Sequence, residues 1–288
     1  MSNKIGFIGS GRMAEALLKG MIKTGAANRE DILISDPIGE RTEYLGAEYG
    51  VTTGNGNRDV ARLASTLFFT MKPQNMEEVL QEIKDDVDDE TMVVSIAAGI
   101  TTAYIESYLS DKVRVIRLMP NTPCLVGEGI TALCLGKNGT ESEVEEVKLL
   151  TGGMSKILWI EESLMDAVTG FSGSGPAFVF LLIEAFADGG VMNGFSREAA
   201  MLLSAQTFLG AAKMVLESDE HPGRLRDMVT SPGGTAITGV HALEEAGVRA
   251  ALMNAVTEAT KRSRELGMDD HNLAALMKES VKGKHEIA

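Results

Sequence analysis

The chain reads as an α/β protein, with a doubly wound parallel sheet in its first half and an all-helical second half. Three observations predict this. A short apolar strand, a tight glycine turn and a helix follow one another in Lys4-Ile5-Gly6-Phe7-Ile8-Gly9-Ser10-Gly11-Arg12-Met13-Ala14-Glu15-Ala16-Leu17-Leu18. Apolar runs of strand length then alternate with helix-period stretches as far as about residue 160. Beyond that point strand signals stop and long helical patterns take over. Such alternation is the pattern of a parallel sheet covered by helices on both faces.

In order, strands are expected over 5–8, 32–35, 65–71, 92–95 and 113–118, with helices between them, including 14–23 and 76–84. Two more strands, near 130–135 and 157–160, flank a polar helix around 141–150. The helical half holds 176–192, 197–217 and 248–265, with glycine and polar breaks between. The middle helix is apolar over most of its circumference, through Ala199, Ala200, Leu202, Leu203, Ala205, Phe208, Leu209, Ala212 and Val215. A helix buried on more than one side needs more partners than a small helical domain supplies. The helical half is therefore too apolar for a monomer surface, and a dimer or a multiple of one is expected. The boundary falls near Glu161, dividing the chain into 1–161 and 162–288.

Composition narrows the function. The chain has 288 residues, 44% hydrophobic and 24% charged, which suits two soluble globular domains. A net charge of −14 argues against nucleic acid, because phosphate binding needs clustered Lys and Arg. The first strand belongs to the fold, so no basic-then-apolar targeting signal is expected. The longest apolar run, 177–183, is far too short for a bilayer, and no membrane partner is expected. Cys124 and Cys134 lack metal-type spacing, which suggests a reduced cytoplasmic setting with both thiols buried as packing residues. The four histidines all lie at or beyond His221. That excludes a histidine base from the N-terminal half, and no metal site is expected.

The spacing Gly9-x-Gly11-x-x-Ala14 is a dinucleotide fingerprint of the Rossmann type. Gly9 allows the sharp turn, Gly11 lets the backbone approach a pyrophosphate, and Ala14 lets the helix pack close to the strand. Free N–H groups and the helix dipole then face the phosphates, so Ile8, Gly9, Ser10, Gly11, Arg12 and Met13 are the first cofactor candidates. The alternative is an ordinary βα turn that binds nothing. Ser35 and Asp36 end the second strand, where an acidic residue bonds the adenosine ribose of NAD; an Asp-Pro turn explains Asp36 equally well. Asn57 is placed with them. Met71-Lys72-Pro73-Gln74 closes an apolar strand at the edge where such folds put ligands, although a surface lysine after a strand fits too. Ala97 and Ala98 lie in Ser95-Ile96-Ala97-Ala98-Gly99, small enough for a flat ring to come close. Asn121, held between two prolines, either orients a carboxamide or caps the local backbone.

In the second half, Glu184 and Asp188 share a helix face, more in the manner of a solvated or salt-bridged pair than of a catalytic one. Ser231-Pro232-Gly233-Gly234-Thr235 precedes a helical run ending near Glu245, so its N–H groups form a candidate anion cradle. A plain helix-entry loop is the other reading.

Together the glycine turn, Met71-Lys72-Pro73, Ser95–Gly99, Met119–Pro123, Thr169–Phe178, Glu184–Val191 and Leu225–Gly234 resemble pyrroline-5-carboxylate reductase. The resemblance runs from Lys4 to about Gly267. It implies a Rossmann-type domain followed by a helical domain that dimerises by interleaving, a plan in which larger rings of dimers are common. It also implies reduction of the cyclic imine 1-pyrroline-5-carboxylate to L-proline, the last step of proline synthesis, usually with NADPH. Ser231 to Thr235 then hold the substrate carboxylate. Two departures stand out. The family commonly carries a hydroxyl at the position of Ala236, so Thr235 becomes the candidate for the ring nitrogen, with Thr238 one turn beyond. Asp36-Pro37 replaces the polar residue with a nearby arginine that grips a 2′-phosphate, and Arg41 lies further on, so NADPH and NADH both remain open. A β-hydroxyacid dehydrogenase shares the two-domain plan but needs a lysine on the first long helix of its second domain. No lysine occurs between Lys156 and Lys213. Another imine reductase, or a dinucleotide-binding dimer without turnover, is the remaining alternative.

Overall fold

The structure is a computed structural model that describes residues 4–282, with side chains described to residue 267. Among the described residues, β1 (Ile5–Ile8), β2 (Ile32–Ser35), β3 (Thr52–Thr53), β4 (Thr66–Phe69), β5 (Met92–Ser95), β6 (Arg114–Met119), β7 (Gly129–Leu135) and β8 (Ser155–Trp159) form one sheet. Its order is β3-β2-β1-β4-β5-β6-β7-β8. The first six strands pair in parallel. β7 departs from the expected all-parallel sheet by running antiparallel to β6, with β8 parallel to β7. The cause is chain length: residues 120–128 are too few for a crossover helix, which takes about a dozen residues or more. The helix Glu141–Thr151 supplies that crossover between β7 and β8. β3, two polar exposed residues, carried no apolar signal and was not anticipated.

Helices α1 (Arg12–Thr24), α2 (Gly39–Tyr49), α3 (Asn57–Leu63), α4 (Met76–Ile83), α5 (Thr102–Glu106) and α6 (Glu141–Thr151) connect the strands. β1, β2, β4 and β5 are buried at every position because helices cover both faces, which is why they read as unbroken apolar runs. Alternate residues serve opposite cores. Phe7, Ile34, Phe68 and Val94 pack with Leu17, Leu18 and Met21 of α1, and Phe7 stacks on Phe68 with ring centres 4.9 Å apart. Ile8, Leu33, Leu67 and Val93 pack with Val60 of α3 and Met76, Leu80 and Ile83 of α4. Each such side chain contributes about 1.5–3 kcal/mol by leaving water. α1 forms because Ala14, Leu17, Leu18 and Met21 share one face, and it stops at Gly25, whose φ of 73° takes the left-handed cap.

Two compact units emerge, one holding residues up to 173 together with the chain from 259 on, the other holding 174–258. The sheet unit thus runs past the expected break at 161. Met165 of α7 (Met165–Val168) packs with Ala132 and Cys134 of β7. Glu162 accepts the Thr102 N–H at 2.8 Å and pairs with the buried Arg117 at 3.1 Å. A π-helical turn, Thr169–Gly173, follows.

In the second unit, α8 (Gly175–Met192) and α9 (Arg197–Glu217) pack through an edge-on Phe186–Phe208 pair with ring centres 5.9 Å apart. α10 (Pro222–Met228), α11 (Thr235–Glu245) and the start of α12 (Val248–Lys282) complete it. α12 continues beyond the end expected at 265. In this single chain Phe180, Leu181, Leu202, Leu203 and Leu209 are exposed. The stretches Glu162–Met192 and Arg197–Glu217 are long and apolar enough to cross a membrane by length and composition. The uninterrupted run 177–183 is shorter because Glu184 ends it, whereas a whole helix averages over an occasional carboxylate.

Candidate functional site

β1 ends at the point where the chain order reverses, with β2 on one side and β4 on the other, the place where such sheets bind ligands. Gly9 follows with φ of +101°, and a Cβ there would lie 2.6 Å from the Met71 nitrogen. Only glycine fits. Gly11 is the opposite case. Its φ and ψ of −67° and −177° suit any residue, and a Cβ there would meet nothing within 4 Å. Its backbone faces open space, and no side chain caps the first N–H groups of α1. Ser10 is fully buried, and its Oγ has no hydrogen-bond partner among the described residues. A buried hydroxyl without a partner is uncommon. Beside bare helix N–H groups and an open glycine, it fits a bound phosphate group well.

A cleft of about 1450 Å³ opens here, and Ile8, Gly9, Gly11, Arg12, Ser35, Asp36, Asn57, Met71 and Lys72 line it. Residues from three strand ends and the start of α3 therefore meet in one place. Asp36 Oδ2 accepts the Ser10 N–H at 2.7 Å and Oδ1 accepts the Ile38 N–H at 2.8 Å. The Ser35 hydroxyl donates to Asn57 Oδ1 at 2.8 Å, and Asn57 Nδ2 donates to Glu82 at 2.7 Å. Thr70 Oγ1 donates to the Gly9 carbonyl at 2.6 Å and locks the turn.

A cluster that the sequence did not reveal borders the cleft. Arg41 Nη2 pairs with the Glu15 carboxylate, and Arg41 Nε donates to the Ser10 carbonyl at 2.7 Å. The Tyr49 hydroxyl donates to Glu15 at 2.9 Å. Burial alone would push the Glu15 carboxyl up, but the hydrogen bonds from Arg41 and Tyr49 and the charge of Arg41 hold it below the usual range. Burial, then the same carboxylate, pushes the Tyr49 hydroxyl up to about 12. Glu15 and Arg41 are 26 positions apart, so no spacing rule could have linked them.

Other candidates fall outside the cleft lining. Met13 packs against the core of α1, because its side chain follows the buried helix face. Pro73 opens a short 3₁₀ turn, Pro73–Asn75. Ala97 is buried beside Ser95, whose Oγ accepts its N–H at 3.3 Å, and Ala98 follows it at the end of β5. Asn121 makes the contacts of the second of its two readings, a cap on the local backbone. Its Oδ1 accepts the Ile130 N–H and its Nδ2 donates to the Ser172 carbonyl, both at 3.1 Å. At 8% exposure it ties down loops.

The loop before α11 lies in the other unit. Gly234 is an extended N-cap without a side-chain cap, and its N–H donates to the Ser231 carbonyl at 3.0 Å. Ser231, Pro232, Gly233 and Thr235 are exposed. The Thr235 hydroxyl has no intramolecular partner among the described residues. Thr238 Oγ1 donates back to the Gly234 carbonyl at 3.1 Å and keeps its acceptor lone pairs. Asp188 pairs with Arg197 on an exposed face, as a salt-bridged carboxylate does. Cys124 and Cys134 are free and buried. Among the described residues no cluster of three or more His, Cys, Asp or Glu side chains is placed to hold a metal.

Residues 162–266 match the family model described as pyrroline-5-carboxylate reductase dimerisation, and residues 4–99 match one described as NADP oxidoreductase, coenzyme F420-dependent. A pyrroline-5-carboxylate reductase of Methanosarcina acetivorans is 46% identical over 266 residues, covering 92% of this chain and 98% of the relative. Among solved structures, a pyrroline-5-carboxylate reductase from Coxiella burnetii superposes with a TM-score of 0.86 at 33% identity, over 92% of this chain and 99% of the other. The Plasmodium falciparum pyrroline carboxylate reductase with NADP bound gives 0.82 at 33% identity, over 93% and 99%. Sheet order, glycine turn and helical half agree with this similarity over almost the whole chain, which belongs to the pyrroline-5-carboxylate reductase family.

Proposed function

We propose that this protein reduces 1-pyrroline-5-carboxylate to L-proline with NAD(P)H, the last step of proline biosynthesis. The observation that carries this is the cleft at the end of β1, where open glycine backbone and bare N–H groups of α1 meet in a chain of this family. When bound, the nicotinamide cofactor supplies the hydride. The sheet unit, whose strands all lie within residues 1–161, binds it. Gly9, Ser10, Gly11 and Arg12, with the start of α1, hold the phosphates. Ser35, Asp36 and Asn57 face the adenosine ribose, while Met71, Lys72 and Pro73 with Ala97 and Ala98 border the nicotinamide half.

The helical portion within 162–288 dimerises and binds substrate. N–H groups of Ser231 to Thr235 hold the carboxylate, where a helix terminus contributes roughly 0.3–1 kcal/mol, or about 2 when partly buried. The Thr235 hydroxyl holds the imine nitrogen. A protonated imine carries its own positive charge, so placement and exclusion of water suffice without a histidine, lysine or metal. The apolar faces of α8 and α9 are covered by a second copy, giving a homodimer; the dimer assembles further into rings and works in the cytoplasm.

The test is consumption of NADPH and NADH with synthetic 1-pyrroline-5-carboxylate at neutral pH. Turnover is expected, with little oxidation of 3-hydroxyacids in the reverse direction. No turnover above background with either cofactor refutes the proposal.

A further inference from the structure

We propose that the cleft selects the dinucleotide whose adenosine ribose has a free 2′-hydroxyl, NADH over NADPH, through Asp36 and an Arg41 that Glu15 keeps occupied. The inference rests on the nucleotide-binding reading of the cleft given above. Two side chains decide the choice in folds of this kind: a carboxylate at the end of the second strand bonds the ribose hydroxyl, and a free arginine nearby accommodates a 2′-phosphate. Here the carboxylate is present and fixed. Both oxygens of Asp36 accept main-chain N–H groups, from Ser10 at 2.7 Å and Ile38 at 2.8 Å, and the side chain lines the cleft. It cannot swing away from a phosphate without leaving those donors unpaired.

The arginine is not free. Arg41 is the one cation in the segment 36–43, and its guanidinium is divided between the Glu15 carboxylate and the Ser10 carbonyl. Its Cζ lies 5.0 Å from the centre of the Tyr44 ring. The hydroxyls of Tyr49 and Tyr44 reach the same Glu15 carboxylate at 2.9 and 3.3 Å, so the acceptor is as firmly held as the donor. Pulling Arg41 onto a phosphate would leave Glu15, whose side chain is only 22% exposed, without its counter-charge. Glu40 and Glu43 line the same cleft and add to the negative field that a phosphate group of about two charges would meet. Arg12 and Lys72 are the other cations lining it, and Arg12 sits at the first turn of α1, beside the place of the pyrophosphate.

Calorimetric titration of the full-length protein with NAD⁺ and NADP⁺ tests this without turnover. NAD⁺ is expected to bind at least tenfold more tightly, about 1.4 kcal/mol. Glu15→Gln, which releases Arg41, and Asp36→Asn, which removes the charge while keeping the shape, should each move the ratio tenfold or more toward NADP⁺. Arg12→Ala should weaken both dinucleotides alike. Equal or tighter binding of NADP⁺ by the unaltered protein overturns the inference, as does an Arg12→Ala protein that loses NADP⁺ alone. Binding of neither dinucleotide instead overturns the nucleotide-binding reading itself.

Discussion

Replacing Gly11 by valine should separate cofactor binding from folding. In the free protein the new side chain costs little, because φ and ψ of −67° and −177° are open to L-residues and a Cβ meets nothing within 4 Å. Valine is a poorer N-cap than glycine, so a loss of about 1 kcal/mol or less is expected. In the complex the same side chain occupies the space into which a pyrophosphate must come. Each hydrogen bond to a charged group is worth roughly 1.5–3 kcal/mol. Loss of one such bond weakens the dinucleotide about tenfold to a hundredfold, at about 1.4 kcal/mol per factor of ten. Calorimetric titration with NAD⁺ and NADP⁺, with a thermal melt of the same sample, reads both quantities. An unchanged affinity in a protein that melts normally would show that the pyrophosphate lies elsewhere.

Gly9→Ala should fail in the other way, losing stability by at least about 1–3 kcal/mol, because φ of +101° and the overlap with Met71 burden the fold itself; a normal melting temperature contradicts this. Thr235→Val should lower kcat/KM roughly tenfold or more, while Ala236→Thr should be neutral or activating; a silent Thr235→Val with a sharply activated Ala236→Thr moves the nitrogen-facing site to position 236. Burial, then Glu162, pushes the Cys134 thiol up to about 12, and burial raises Cys124 as well, so neither forms thiolate near pH 8. A thiol reagent should find no reactive group in the native protein and two after denaturation. Light scattering at micromolar concentration should show a dimer or a multiple of one, and a uniform monomer contradicts the covering of α8 and α9.

Unbroken apolar runs made most of the sheet legible, since β1, β2 and β5 are buried on both faces and, at four residues each, are too short for helices. β3 was invisible because Thr52 and Thr53 are exposed and polar. The reversal of β7 was hidden because strand direction depends on what a connection can span, and the strand itself carries no sign of it. The cleft was largely readable, because glycine spacing and strand ends are local features. Glu15, Arg41 and Tyr49 were not, since their contacts exist only once α1 and α2 lie side by side. Asn121 shows a different limit. Its place in a rigid loop fits a ligand or a backbone cap equally, and only coordinates reveal that each end of its amide bonds the main chain.

The path of the chain leaves the sheet unit at 173 and re-enters it at 259. Within that unit Ser263 donates to Asp166 at 2.8 Å, and the backbone at Thr260 presses against Gly170 so closely that no side chain fits there. The nucleotide-binding half is therefore a discontinuous piece of chain, into which residues 174–258 are spliced like an insert. A gene fragment ending at 161 or 173 would leave the Asp166 region without its cover or remove it altogether. Folding of the sheet unit cannot finish during synthesis until its last segment has been made, and any attempt to exchange the helical portion between relatives has to join the chain at two points.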